Sequence, residues 1–144
     1  MKTDDKALVA AAERAREKAY SPYSDFSVGA ALLCEDGTVY EGCNIENASF
    51  SPTCCAERVA IFSAIADGKR NFSAIAVVGG KRDESDRDFC YPCGVCRQVI
   101  SEFCADGFKI ILANGKGELL RIGLDELLPY RFKLKTEENY EKAD

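Results

Sequence analysis

Two short stretches concentrate the reactive side chains of this chain: Cys55-Ala56-Glu57 in the first half and Pro92-Cys93-Gly94-Val95-Cys96 in the second. Three thiols and one carboxylate are a complete set of parts for a catalytic zinc site. Zinc takes four ligands; a structural site fills all four with side chains, whereas a catalytic site uses three and leaves the last position to water. Cys55, Cys93 and Cys96 supply the three, and Glu57 is left to handle protons. The chain contains no histidine. That removes the usual general base and the commonest zinc ligand, together with every Ser-His or Cys-His nucleophile. Any metal site must therefore be built from thiolate or carboxylate, and any acid–base catalyst must be Asp, Glu, Lys, Tyr or Cys.

The elements that must position these residues follow from the sequence pattern. Leu8, Ala12, Ala15 and Ala19 recur on one face of a helix expected over residues 4–19, which Ser21-Pro22 ends. Phe26 to Cys34 and Val39 to Ile45 are apolar runs joined by Glu35-Asp36-Gly37-Thr38, a hairpin signal. A second helix is expected from about Cys54 to Ala66, with Thr53 as its N-cap and Asp67-Gly68 closing it. Phe72 to Val78 reads as a strand buried on both faces, and residues 81–88 as a solvated, charged connection. Pro92 fits the first position of a third helix running to about Cys104. Strands are expected at Lys109 to Ala113 and Glu118 to Ile122, then a helical turn from Leu124 to Leu128 stopped by Pro129. The order α-β-β-α-β-α-β-β implies an α/β fold, three layers with helices on both faces of a mixed five-stranded sheet. One domain over residues 1–144 is expected, with a polar tail from about 134 that frays.

Composition narrows the partners. With 144 residues, 47% hydrophobic and 30% charged, the chain is long enough to bury a substantial core. A formal net charge of -5 and no Lys/Arg cluster argue against nucleic-acid binding, which needs a basic face to displace phosphate counterions. Residues 1–19 are charged throughout, and no apolar run reaches membrane-spanning length. The eight cysteines therefore read as metal ligands or buried small hydrophobes in a cytoplasmic protein rather than as a disulfide framework.

Both ligand segments fall at expected helix starts, where partial positive charge favours the thiolate. Three thiolates on Zn²⁺ leave a net charge of -1, which makes a bound water less acidic than at a neutral-ligand site. Arg58, next to Glu57, is the side chain placed to compensate. Periodicity has a limit here: residues two apart on a regular helix point in different directions. Glu57 faces an ion held by Cys55 only if Cys55 reaches in from the helix's edge.

A ligand-x-Glu followed by Pro-Cys-x-x-Cys is the known signature of zinc nucleobase deaminases, and the wider sequence resembles the cytidine deaminase family of small single-domain enzymes. The resemblance runs through residues 21–32, Gly42-Cys43-Asn44-Ile45-Glu46-Asn47-Ala48, Cys55-Ala56-Glu57-Arg58, residues 92–98 and Glu126-Leu127-Leu128-Pro129. It implies hydrolysis of the 4-amino group of cytidine or deoxycytidine, giving the uridine product and ammonia. It also implies roles. Cys55, Cys93 and Cys96 match zinc ligands and Glu57 the proton shuttle. Asn44 and Glu46 match the groups that hold the ribose hydroxyls, Phe26 the aromatic against the pyrimidine, and the Ala56 backbone the partner of the base carbonyl. Arg58 matches a charge-compensating arginine, and Phe132 an aromatic given to a neighbouring subunit's site in a homotetramer. Taken singly, Phe26 would read as core and Asn44 as a turn residue; their company gives them these roles. Two positions depart from the family pattern. Phe50 stands where Tyr is common, and Tyr91 where a small hydroxyl residue precedes Pro-Cys-Gly.

Two rival readings share the zinc motifs. A deaminase for another aminopyrimidine nucleoside, such as a blasticidin-type antibiotic, fits the Asn44-x-Glu46 pair and the Leu-Leu-Pro-x-x-Phe ending less well. A structural zinc module would need a fourth protein ligand, from Cys54, Cys90 or Cys104, and would leave Glu57 idle.

Overall fold

Side chains alternate between two cores along the central strands. In the computed structural model, which describes residues 3–134, β1 (Phe26–Cys34) and β3 (Phe72–Lys81) send Ala30, Leu32, Ile75 and Val77 to one face. Ala31, Ala74, Ala76 and Val78 go to the other. This two-residue period with both faces apolar is what a sheet covered on both sides requires. The second face is covered by α1 (Asp5–Arg16), which buries Leu8, Ala11 and Ala12 against it. The first is covered by α2 (Ala56–Ala66) and α3 (Gly94–Phe103), with Ile61 and Ile100 fully buried.

The remaining elements are β2 (Val39–Cys43), β4 (Lys109–Ala113), β5 (Leu119–Gly123) and the short α4 (Leu124–Leu127). The strand order is β2-β1-β3-β4-β5; β3 and β4 pair in parallel and the other pairs are antiparallel. The three-layer α-β-α arrangement with a mixed five-stranded sheet is the one expected. The crossover between β3 and β4 carries α3, as a parallel pair demands, and this places the start of α3 beyond the C-terminal end of β3.

Several boundaries differ from the sequence reading. The first helix stops at Arg16, and Ala19 lies outside it. β2 ends at Cys43, and Ile45 keeps only isolated bridges to Tyr20 and Cys54. β3 runs three residues past Val78, through Gly79 and Gly80, because it pairs with the whole of β1. The charged 81–88 connection is solvated except at Arg87, whose side chain is 12% exposed. Beyond Leu134 the expected polar tail lies outside the described residues.

Candidate active site

The starts of α2 and α3 are where the structure corrects the sequence reading most. Thr53 is not the N-cap of α2; Cys55 is, with extended backbone at φ -73° and ψ 155° and no side-chain capping bond. Likewise Pro92 does not open α3. Cys93 is its N-cap, at φ -69° and ψ 169°, again with no capping bond, and Gly94 is the first helical residue. Each helix therefore begins one residue after a cysteine whose sulfur is not spent on the helix's own N–H groups. An N-cap residue leaves the helical path. This is how Cys55 reaches in from the edge while Glu57 points inward from the first turn.

The three sulfurs converge. Cys55 Sγ and Cys93 Sγ are 3.8 Å apart, Cys93 Sγ and Cys96 Sγ 3.5 Å, and all three lie within 4.8 Å of one another. Zn–S bonds of about 2.3 Å in tetrahedral geometry would hold sulfurs about 3.8 Å apart, so the donor set and its spacing fit zinc. Among the described residues no fourth Cys, Asp or Glu joins the group, and all eight cysteines are free. Cys54, Cys90 and Cys104 do not join the group, so the structural-module reading lacks the fourth ligand it needs among the described residues.

Electrostatics favour the thiolate at Cys55. Hydrogen bonds from Cys96 and from Arg58 lower the Cys55 pKa, while the same contact with Cys55 and burial raise that of Cys96. Arg58 Nη2 lies 3.4 Å from Cys55 Sγ and 3.4 Å from the Thr53 carbonyl. The arginine thus sits where the negative charge of the cluster is greatest. Glu57 is 4% exposed, and burial raises its carboxyl to about 6. A carboxyl with a pKa near 6 exchanges protons readily near neutral pH.

Placement of α2 depends on Gly42. A Cβ there would come within 2.4 Å of the Ala56 carbonyl oxygen and 2.5 Å of the Ala60 nitrogen. Only glycine lets the first turn of α2 lie directly on β2. The segment after β2 then bonds to the residue before the first ligand, with Ile45 N–H to the Cys54 carbonyl at 2.9 Å and Cys54 N–H to the Ile45 carbonyl at 3.0 Å. Asn44 and Glu46 flank Ile45 in this pairing, one on each side.

Asn44 is 8% exposed. Its Oδ1 accepts from Val28 N–H at 2.8 Å and its Nδ2 donates to the Phe26 carbonyl at 2.8 Å. Glu46 accepts from the N–H groups of Tyr23 and Ser24 and from Ser24 Oγ. Both side chains fix the segment that presents Phe26, a residue 41% exposed. Ala56 is fully buried at the first position of α2, where backbone N–H groups have no intrahelical partner. Phe132 is 68% exposed, its carbonyl accepting from Gln98 Nε2 of α3 at 3.2 Å. Phe50 is 75% exposed and meets Tyr23 edge-on, and Tyr91 is exposed beside a buried Pro92.

Sequence reasoning gave Arg97 no role. Its guanidinium donates to the Pro92 carbonyl at 2.8 Å and the Leu127 carbonyl at 2.7 Å, tying the second ligand loop to α4. Its place directly after Cys96, inside the 92–98 stretch that carries the family resemblance, was the available signal.

A helix-covered mixed sheet with three convergent thiols and a buried carboxylate at two helix N-termini is the arrangement of a zinc-dependent hydrolase. The chain belongs to the cytidine and deoxycytidylate deaminase family: residues 2–112 match its zinc-binding region. A cytidine deaminase from Sporosarcina psychrophila is 50% identical over 129 residues, 90% of this chain and 91% of that protein. A crystal structure of cytidine deaminase from Burkholderia pseudomallei superimposes with a TM-score of 0.80 at 47% identity, covering 90% of this chain and 99% of that one. A blasticidin-S deaminase from Bacillus cereus is 37% identical over 125 residues, 83% of this chain and 88% of the relative.

Proposed function

We propose that this chain is a zinc-dependent hydrolase that removes the 4-amino group of cytidine and deoxycytidine, giving uridine or deoxyuridine and ammonia. The observation that carries this is the three-sulfur cluster at the N-termini of α2 and α3 with buried Glu57 beside it. Zinc held by Cys55, Cys93 and Cys96 would supply a water acidic enough to act as nucleophile near neutral pH.

The chain's own groups do the rest. Glu57 takes a proton from the attacking water and delivers it to ring N3 as the C4–O bond forms; it then moves the proton of the new C4 hydroxyl to the amino group, so that the C4–N bond breaks, ammonia leaves and C4 is left as the carbonyl of the uridine product. Arg58, at 3.4 Å from Cys55 Sγ, offsets the negative charge of the ligand set. The Ala56 N–H holds the base carbonyl and Phe26 packs on the pyrimidine. Asn44 keeps one Nδ2 hydrogen beyond the one it donates to the Phe26 carbonyl, and Glu46 keeps one acceptor position on Oε2. These are the groups for the ribose hydroxyls.

The reading extends to one catalytic domain that works as a homotetramer, with Phe132 completing a neighbour's site. An aromatic ring left 68% exposed after the last helix supports this, since such a ring gains most by burial against a partner. Eight free thiols and a thiolate metal site suit a reducing compartment, which supports a cytoplasmic role in pyrimidine salvage. Among the described residues no helix is long and apolar enough to cross a membrane. The net charge of -5 argues against nucleic-acid substrates.

Ammonia release from cytidine, deoxycytidine, free cytosine and blasticidin S, measured side by side, tests the reading. Both nucleosides should react and cytosine should be poor, because sugar contacts position the reacting carbon. Cytosine turned over as fast as cytidine, or blasticidin S preferred to it, would contradict the assignment. The lower identity to the blasticidin-S deaminase makes that second outcome the weaker alternative.

A further inference from the structure

The loop between β3 and α3 delivers Cys93 and Cys96, and the sequence gives it no fixed conformation: Lys81-Arg82-Asp83-Glu84-Ser85-Asp86-Arg87-Asp88 is nearly all charge. In the structure its start is held by Arg82 N–H donating to the Asp25 carbonyl at 3.0 Å, and its far part is held at Arg87. Arg87 Nη2 pairs with Glu13 Oε1 of α1 at 2.8 Å, with the arginine side chain 12% exposed and the glutamate 36%. The Arg87 carbonyl accepts from Gly115 N–H at 2.7 Å. Two glycines make room for this residue. A Cβ on Gly115 would come within 2.0 Å of the Ser85 carbonyl and 2.5 Å of the Arg87 nitrogen, and one on Gly80 would meet the Arg87 stem at 2.4 Å.

The same helix also holds the end of β3. Arg16 donates to the carbonyls of Gly80 at 3.1 Å and Lys81 at 2.7 Å, and to that of Ser27 at 3.0 Å. The chain is thus fixed to α1 where it leaves the sheet and again six residues before the second zinc ligand. Between Arg87 and Cys93 the path is nearly determined, because Pro92 is fully buried and bonded through its carbonyl to Arg97.

We propose that Arg87, through its ion pair with Glu13, is a positioning residue for the metal site: it clasps the β3–α3 loop onto α1 and sets where Cys93 and Cys96 stand relative to Cys55. This rests on the zinc reading above and extends it to a residue on the far side of the sheet. A loop released at Arg87 keeps its cysteines but loses the fixed spacing of the sulfurs, so the consequence falls first on metal retention. Outer partners that orient metal ligands typically matter about 10–100-fold in affinity.

The test is zinc release from purified holoprotein to a colorimetric chelator, at a temperature well below unfolding, with thermal midpoints measured in parallel. Arg87→Met should lose zinc at least about tenfold faster than the parent. Glu13→Gln, which removes only the partly exposed partner, should move in the same direction and decides the matter if Arg87→Met does not fold. Arg87→Lys, which keeps a cation for Glu13, should fall close to the parent. Phe72→Leu, buried at the opposite end of β3, serves as the stability control and should lower the midpoint without speeding release. Parent-like release from both Arg87→Met and Glu13→Gln overturns the proposal, as does equal acceleration in Phe72→Leu at a matched midpoint. A parent protein that carries no zinc would instead overturn the functional reading on which the proposal rests.

Discussion

Substituting Gly42 by alanine should damage the metal site without touching any reactive group. The added Cβ would lie 2.4 Å from the Ala56 carbonyl oxygen and 2.5 Å from the Ala60 nitrogen, where ordinary contact begins at 3.4 Å. Both neighbours are helix backbone, so no side chain can rotate away. The gap between β2 and α2 must open by about 1 Å, the overlap those distances imply. Movement of α2 carries Cys55 away from Cys93, now 3.8 Å off, and movement of the edge strand β2 carries Asn44 and Glu46 instead. Alanine in place of glycine gains about 0.4–1 kcal/mol by restricting the unfolded chain, but overpacking costs about 1–3 kcal/mol. The clash wins, leaving a net loss of about 1–2 kcal/mol and a fall of about 0.5–1 M in urea midpoint. Metal ligands tolerate errors of only about 0.2 Å, so zinc content should fall. A displacement of about 1 Å can cost about a hundredfold in activity. Urea unfolding, metal analysis and ammonia release on one preparation give the comparison. Gly42→Ala with parent stability, full zinc and full activity would refute the argument that glycine is what lets α2 seat its ligand.

Other expectations follow from the same site. Cys55→Ala, Cys93→Ala and Cys96→Ala should each be depleted of zinc by metal analysis, whereas Cys34→Ala, altered in the core beside the hairpin turn, should keep it. Phe132→Ala should raise KM for cytidine and leave zinc content intact; gel filtration with light scattering, run beside the assay, should show activity falling as the oligomer dilutes apart, and a fully active monomer would remove the shared-site proposal. Burial pushes the Cys104 thiol up to about 12, so only about one molecule in ten thousand carries the reactive thiolate at pH 8. Iodoacetamide followed by peptide mass analysis should leave Cys104 unmodified in native protein and modify it in urea.

How much of this was legible beforehand depended on whether the signal was local. The strands from Phe26 and Lys109, the hairpin at Asp36-Gly37 and the α3 span to Phe103 follow from periodicity and turn chemistry, which are properties of neighbouring residues. The starts of α2 and α3 were misplaced for one shared reason. Thr53 and Pro92 are favoured at helix starts on local grounds, but here cysteines occupy the N-cap positions because their sulfurs converge on each other across the fold. Arg87 was unreadable because its partner, Glu13, is 74 residues away. The chemistry itself was legible from residue type, since a chain without histidine has few ways to build a metal-assisted hydrolase. Its assembly was not. It depends on Gly42 and the Ile45–Cys54 pairing, which appear only when β2, α2 and α3 are packed together.

The most direct test of the central claim pairs the parent protein with Glu57→Gln, each analysed for zinc and then mixed with cytidine while ammonia release and ultraviolet absorbance are followed. The substitution keeps the shape of a side chain only 4% exposed but cannot carry a proton. General acid–base catalysis is worth about 10²–10⁴-fold for a single transfer, and Glu57 is assigned more than one. Both proteins should carry one zinc per chain, the parent should release one ammonia per cytidine consumed, and the variant should lose at least about 10⁴-fold in rate. A zinc-replete parent that releases no ammonia from cytidine, or a Glu57→Gln variant within tenfold of the parent, would contradict that claim.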